Sequence, residues 1–296
     1  INDFLPFPVI NPNYPEVEIT NYMVITHTNG IADDWAILDG LSFGGGEPLD
    51  LGIFLYDYLR NSSYSDINVN NRSIKLFVPS SITQWRVKTF FSKEPETLEW
   101  IDNFKNDDEK DCIIFWDIGA NIGIYSLYAA TKFKKIKVVS FEPSFNNLAI
   151  LCHNISINNL SEKIIVNQFP LSDKKNFYSM MNESSFMEGG ALHSFGLNYN
   201  FEGKNFKSIN RYKILGNSMN NLIENQILEV PNYIKIDVDG IEHLILEGAK
   251  KLLKNIELKE IIIEMNPTFN EQYQMIVKSL KESGFHLMSS ENKRLI

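Results

Sequence analysis

Asp117-Ile118-Gly119-Ala120-Asn121-Ile122-Gly123 stands directly behind the apolar run 112–116 and ahead of an amphipathic segment. That placement predicts a strand-to-helix turn, around which the rest of the chain is arranged. Gly119 and Gly123 give the backbone freedom to pass close to a ligand. The helix behind such a turn aims its unpaired N–H groups and the positive end of its dipole at whatever lies in front. This is the layout of a nucleotide-type cofactor site.

The opening carboxylate decides which cofactor. A dinucleotide fingerprint has glycine where Asp117 stands and lays a pyrophosphate on the helix N-terminus. A carboxylate there repels an anion. S-adenosylmethionine carries no phosphate and presents an ammonium, a sulfonium and a ribose diol, so the turn favours it over NAD. One strand-helix-strand unit later the run 136–141 ends in Glu142. A carboxylate at that strand tip is placed to accept hydrogen bonds from both ribose hydroxyls.

Phe141-Glu142-Pro143, Leu171-Ser172-Asp173 and Ile234-Lys235-Ile236-Asp237-Val238-Asp239-Gly240-Ile241-Glu242 follow the turn. Their order and spacing resemble those of FkbM-family methyltransferases, and the likeness runs from about 112 to 265. It is specific because four separate motifs agree. The resemblance implies a Rossmann-like, doubly wound α/β fold with a mostly parallel seven-stranded sheet and an antiparallel final strand. It also implies methyl transfer from S-adenosylmethionine to a hydroxyl of a sugar, polysaccharide or polyketide-like product. The cofactor would be held by Asp117, Gly119, Ala120, Asn121, Gly123 and Glu142, with Asp173 at the adenine. Residues 188–196 look like the family's loop over the pocket and carry His193, while Asn220 stands where the family usually has aspartate.

For the chemistry, the strand tips supply Asp237 and Glu264, and the loop supplies His193. Asp237 is the expected general base, or the group that orients the acceptor hydroxyl. Burial there raises its pKa and the nearby sulfonium and Lys235 oppose the rise. His193 and Glu264 are its rivals. Asp237, Asp239, Glu242 and Glu264 have the oxygen chemistry of a Mg²⁺ site, but a carboxylate at a helix start is favoured by the dipole alone, and no metal is expected. An N-methyltransferase is one alternative, though residues 237–240 do not resemble its polar-proline motif. A non-catalytic S-adenosylmethionine-binding or partner-binding module of the same fold is another. Such a module would be expected to have lost Asp117, Gly119, Gly123 or Glu142.

Composition bounds these readings. The chain has 296 residues, 44% hydrophobic and 22% charged, enough for a large core. Its net charge of -9 and pI near 5.2 argue against nucleic acid, which needs clustered Lys and Arg. A small-molecule or glycan acceptor is the expected partner. No apolar run approaches the ~20 residues of a membrane helix, and no basic-then-apolar leader opens the chain, so a cytoplasmic protein is expected. Ile1 in place of methionine fits a processed or partial chain. Cys112 and Cys152 are expected as small core residues.

Residues 1–78 form an expected N-terminal extension and 79–296 the methyltransferase domain. Prolines at 6, 8, 12 and 15 predict an extended arm over 1–30, and a helix is expected at 50–60. The glycines at 44–46 lack the following Gly-Lys-Ser/Thr of a phosphate loop. A helix after Pro95 leads into the first strand, and in FkbM-like chains that lead-in covers the pocket, which makes Glu94, Glu96 and Thr97 candidate contacts. Further strands are expected at 164–169, 233–236, 258–263 and 285–288, with 174–222 a long connection.

Overall fold

The computed structural model describes residues 42–43, 47–48, 51–105, 112–197, 199, 202–205, 207–266, 269–286, 288, 290–291 and 294–295. The chain divides into two compact units, 1–63 and 64–296. In the first, β1 (Ser42–Phe43) pairs antiparallel with β2 (Glu47–Pro48), and the expected helix is α1 (Leu51–Asn61). The arm over 1–30 and the glycines at 44–46 lie outside the described residues.

The second unit begins with a hairpin of β3 (Tyr64–Val69) and β4 (Arg72–Phe77). Three short helices follow, α2 (Ser81–Lys88), α3 (Phe90–Lys93) and α4 (Pro95–Asp102). Next come β5 (Ile113–Ile118), α5 (Ile124–Lys132), β6 (Ile136–Phe141), α6 (Phe145–Ile157) and β7 (Ile164–Asn167). The chain then forms β8 (Phe177–Glu183), β9 (Ser194–Phe195), β10 (Asn210–Gly216) and α7 (Met219–Glu224). Last are β11 (Tyr233–Ile236), α8 (Glu242–Glu247), β12 (Glu260–Glu264), α9 (Asn270–Glu282), β13 (Ser290–Glu291) and β14 (Arg294–Leu295).

Five of these strands make a central parallel sheet in the order β7-β6-β5-β11-β12. Their sequences are nearly continuous apolar runs because helices cover both faces. Side chains alternate between the faces: Ile113 and Phe115 of β5 enter one core, Trp116 and Ile118 the other. The first core also takes the β3–β4 hairpin, α5 and α6, and the second takes α7, α8 and α9. Beside β12, β14 pairs antiparallel, and β13 pairs with β14.

The hairpin belongs to this unit because α6 treats β4 as a strand neighbour would. The Asn154 Oδ1 accepts from the Phe77 N–H at 2.8 Å while its Nδ2 donates to the Ile122 carbonyl at 3.0 Å. One turn on, Asn158 accepts from Lys75 N–H and donates to Lys75 C=O. The compact unit accordingly starts at Tyr64, ahead of residue 79.

Three expectations differ from the structure. Residues 174–222, expected as a long connection, hold an antiparallel sheet in the order β10-β8-β9. The signal was present in β10, where half-buried Tyr212 and Ile214 alternate with exposed Arg211 and Lys213. Phe285, His286 and Met288 lie outside any strand, and the strand pieces start at Ser290. Cys112 and Cys152 are exposed, since both occupy positions turned away from the two cores.

Candidate active site

A cleft opens at the carboxyl ends of the parallel strands, where open α/β sheets bind their ligands. Gly119, Asn121, Glu142, His193, Asp237 and Asp239 all line it. The turn after β5 reaches it through left-handed residues at Gly119 (φ 82°), Asn121 (φ 52°) and Gly123 (φ 86°). Asparagine tolerates that region better than most side chains.

The turn does not work as its glycines first imply. A Cβ on Gly119 would stand 1.9 Å from the Asp237 carbonyl oxygen, and one on Gly123 would stand 2.3 Å from Leu151 Cδ1. Both glycines therefore admit neighbouring protein atoms, and the fold needs them before any ligand does. The N–H groups are likewise committed. Gly119 and Ala120 both donate to the Phe141 carbonyl at 3.0 Å, Asn121 donates to Glu142 Oε2 at 2.7 Å, and Gly123 donates to the Ala120 carbonyl at 2.8 Å. Ile122 N–H bonds the Asn121 side chain at 3.0 Å. A turn whose donors are spent internally suits a cofactor without a phosphate.

Glycine 119 yields a stability test. Gly119→Ala is expected to cost at least ~1–3 kcal/mol, the range for overpacking a filled site, with left-handed strain added. Gly284→Ala is the control, since Gly284 has φ 93° but nothing within 4 Å of its Cβ position. Equal losses in the two variants would show that the contact with Asp237 is unimportant.

Glu142 is 4% exposed at the tip of β6. Its Oε1 accepts from Ser144 N–H at 2.8 Å, its Oε2 from Asn121 N–H, and the Asn147 amide adds a third bond. Burial pushes its pKa up to about 7 despite these donors. A carboxylate has about four acceptor positions, so one ribose hydroxyl is accommodated more readily than two.

Behind the cleft wall lies a buried charge network. Lys235 is 3% exposed, and its Nζ donates to Asp237 Oδ2 at 2.8 Å, stands 3.9 Å from Asp117 Oδ1 and lies 5.0 Å above the Tyr125 ring. Tyr125 in turn donates to Glu94 Oε2 at 2.5 Å, and Glu94 Oε1 pairs with Lys93 at 2.8 Å. Asp117 is wholly buried and takes Ser126 Oγ–H at 2.6 Å on Oδ2, while its Oδ1 has no hydrogen-bond partner among the described residues. Burial raises the Asp117 pKa. Burial also acts on Asp237, but the Lys235 ammonium and a hydrogen bond with Glu264 outweigh it and hold this carboxyl well below the usual range. Lys235 favours Asp237 because it stands closer to it.

Over the cleft runs a strap, residues 183–196. Ser80 Oγ donates to the Glu188 carbonyl at 2.8 Å, and Arg86 Nε to the Gly189 carbonyl at 2.7 Å. Asn147 Oδ1 accepts from Gly189 N–H at 2.8 Å, and the Asn121 and Asn147 amides both donate to the Gly190 carbonyl. At its far end Leu192 N–H donates to Asp239 Oδ2 at 2.6 Å. Asp239 has its pKa pushed up to about 6 by burial and by the neighbouring Asp237 charge. His193 presents an Nδ1 that is buried without a hydrogen-bond partner among the described residues, and burial lowers its pKa.

The structure thus gathers Gly119, Asn121, Glu142, His193 and Asp237 into one cleft and leaves other expected residues outside it. Asp117 and Ala120 lie under the wall, and Gly123 packs on α6. Asp173 accepts from Ser172 Oγ at 3.0 Å and does not line the cleft, whose wall there is Phe169, Pro170 and Leu171. Glu94, Glu96 and Thr97 also stay off the lining. Glu264 stays off the lining and shares a hydrogen bond with Asp237. Glu242 faces α9, where Gln272 Nε2 donates to it at 2.8 Å, and burial pushes its pKa up to about 7. Asn220 accepts the N–H groups of Lys251 and Leu252, a local capping role that needs no charge. Among the described residues no cluster of His, Cys, Asp and Glu is arranged to hold a metal ion. Arg86, Asn147 and Ser80 had no periodic or motif signal in the sequence.

The methyltransferase FkbM domain family matches residues 117–287, more than half of the chain. No curated protein matches. Among solved structures, precorrin-6y C5,15-methyltransferase from Geobacter metallireducens is similar at 13% identity and TM-score 0.39, covering 67% of this chain and 76% of that one. Methyltransferase FkbM from Methylobacillus flagellatus is similar at 15% identity and TM-score 0.39, over 78% of this chain and 52% of that one. TYW2 of P. horikoshii in complex with MeSAdo is similar at 14% identity and TM-score 0.39, over 79% and 68%. No described helix is long and apolar enough to cross a membrane.

Proposed function

Because this chain belongs to the methyltransferase FkbM domain family, we propose that it moves the methyl group of S-adenosylmethionine onto a hydroxyl of a sugar, polysaccharide or polyketide-like product. That it is an S-adenosylmethionine-dependent methyltransferase follows from the family; the acceptor and the residue roles are the proposal. The cofactor supplies an electrophilic methyl on a cationic sulfur. The cleft fits such a molecule through a ribose-accepting Glu142, an apolar wall at Phe141, Phe169 and Leu171, and an ionised Asp237 near where positive charge would lie. Gly119 and Asn121 form its edge, while Asp117, Ala120 and Gly123 shape that edge from behind. Asp173 lies beyond the wall and is left out of the contact set.

The reading rests most on one pairing. Asp237 is ionised and Lys235-bound, which suits it to orient a hydroxyl and makes it a weak base, whereas His193 in the same cleft is neutral with a free ring nitrogen. A hydroxyl nucleophile must shed a proton as it attacks, and His193 is the group able to take it. Methyl transfer to a neutral amine would need no such base during the attack. On this reading β13 and β14 complete the seven-stranded methyltransferase sheet, residues 1–63 are the extension, and the enzyme works in the cytoplasm beside its cofactor supply.

Extract from host cells lacking the protein, incubated with the protein and methyl-labelled S-adenosylmethionine, tests the acceptor class. Label in an O-methyl group of a glycan or polyketide-like product is the expected result, and label on nitrogen overturns the proposal. Cofactor affinity supplies a second check. The ionised Glu142 accepts the ribose hydroxyl, and its pKa is about 7, so affinity is expected to fall as pH drops through 7. Glu142→Gln should flatten that profile, and Glu142→Ala should weaken binding roughly ten- to a hundredfold, about 1.5–3 kcal/mol. Calorimetry showing the same dissociation constants in all three proteins would remove Glu142 from the site.

A further inference from the structure

S-adenosylmethionine carries one anionic group, the α-carboxylate of its methionine end. The cleft is poor in places for an anion, because Glu142, Asp237 and Asp239 all face it. Its nearby cations are mostly committed. Lys235 serves Asp237 and Asp117, and Lys93 pairs with Glu94 at 2.8 Å. Arg86 differs from both. Its Nε donates to the Gly189 carbonyl at 2.7 Å, which holds the guanidinium against the strap, and Asn121 and Asn147 tie the next carbonyl, Gly190, to the cleft wall. Among the described residues its two terminal nitrogens make no hydrogen bond to protein.

We propose that Arg86 receives the α-carboxylate of S-adenosylmethionine through those two terminal nitrogens. The assignment rests on the cofactor occupying this cleft. A planar guanidinium fixed at Nε presents its remaining donors as a fork, the geometry that carboxylates bind most strongly. Arg86 itself is not on the cleft lining, but its Nε bond to Gly189 sets the guanidinium one residue from Gly190, which is, and its charge acts on Glu142, Asp239 and His193 there.

The test compares two ligands by calorimetry. S-adenosylhomocysteine keeps the carboxylate, and 5'-methylthioadenosine lacks the whole amino-acid end. Arg86→Gln is expected to weaken S-adenosylhomocysteine roughly ten- to a hundredfold and leave methylthioadenosine unchanged. Arg86→Lys, which keeps a charge without the fork, should fall between, and it carries the comparison if the glutamine variant does not fold. An equal loss for both ligands would reduce Arg86 to a strap anchor and overturn the assignment, as would no loss for either. Wild-type protein that binds neither ligand would instead overturn the placement of the cofactor, and the role of Arg86 with it.

Discussion

Lys235→Met is expected to lower the unfolding free energy by about 3–5 kcal/mol, the usual cost of removing one partner from a buried ion pair. The side chain is 3% exposed, and Asp117 beside it is wholly buried. Without the ammonium, Asp117 and Asp237 would be left as two carboxylates in one low-dielectric pocket with Glu94 close by. They would take up protons and lose their shared arrangement. The acid side gives an internal check. Asp237 has a folded pKa below its unfolded value, so its stabilising contribution is present above the unfolded value near 4 and disappears as pH falls through the folded one. The deficit of the variant should therefore be largest near neutrality and shrink in acid. Urea titrations at several pH values measure this, and an unchanged midpoint at pH 7 would show that Lys235 does not hold the network.

His193→Gln is expected to slow the first turnover by a factor of about 10² to 10⁴ at saturating S-adenosylmethionine, the range a general base contributes. The measurement uses the acceptor found by methyl labelling. Burial lowers the pKa of this imidazole, with the Glu183 charge opposing and Arg86 adding to the effect. It is then neutral at pH 7, and the rate should fall only as acid protonates it. Asp237→Asn should cost roughly ten- to a hundredfold, the worth of a charge-assisted hydrogen bond that orients the acceptor, and should keep the acid limb. The charged groups that act on Asp237 include Lys235 on β11, Glu264 on β12, Asp117 on β5, Lys93 on α3, Asp239 after β11 and Glu242 at the start of α8. Loss of the acid limb in Asp237→Asn but not in His193→Gln would return the role of base to Asp237.

Much of the framework was legible in local sequence. Runs such as Ile113–Ile118, Ile136–Phe141 and Tyr233–Ile236 are apolar but for Asp117, Lys137, Ser140 and Lys235, because both sheet faces are covered. The carboxylates that end such runs, Glu142 and Asp237, therefore had to stand at the edge where ligands bind. That inference needs only side-chain periodicity and the direction of a parallel sheet.

What each carboxylate does was decided by tertiary structure. Asp117 and Asp237 are both strand-tip aspartates, yet one is sealed beneath the wall and the other keeps 25% of its side chain exposed. Lys235 stands 2.8 Å from Asp237 and 3.9 Å from Asp117, and that difference, with the Glu264 hydrogen bond to Asp237, gives the two opposite pKa directions. The donors of the turn are consumed by Phe141 and Glu142, and the strap is held by Ser80, Arg86 and Asn147. Those partners lie tens of residues apart in the chain, so no local pattern records them. Sequence alone determined which residues reach the edge of the sheet. Only the assembled interior decided which of them lose water and which gain a partner, because desolvation and ion pairing depend on every group packed around a charge.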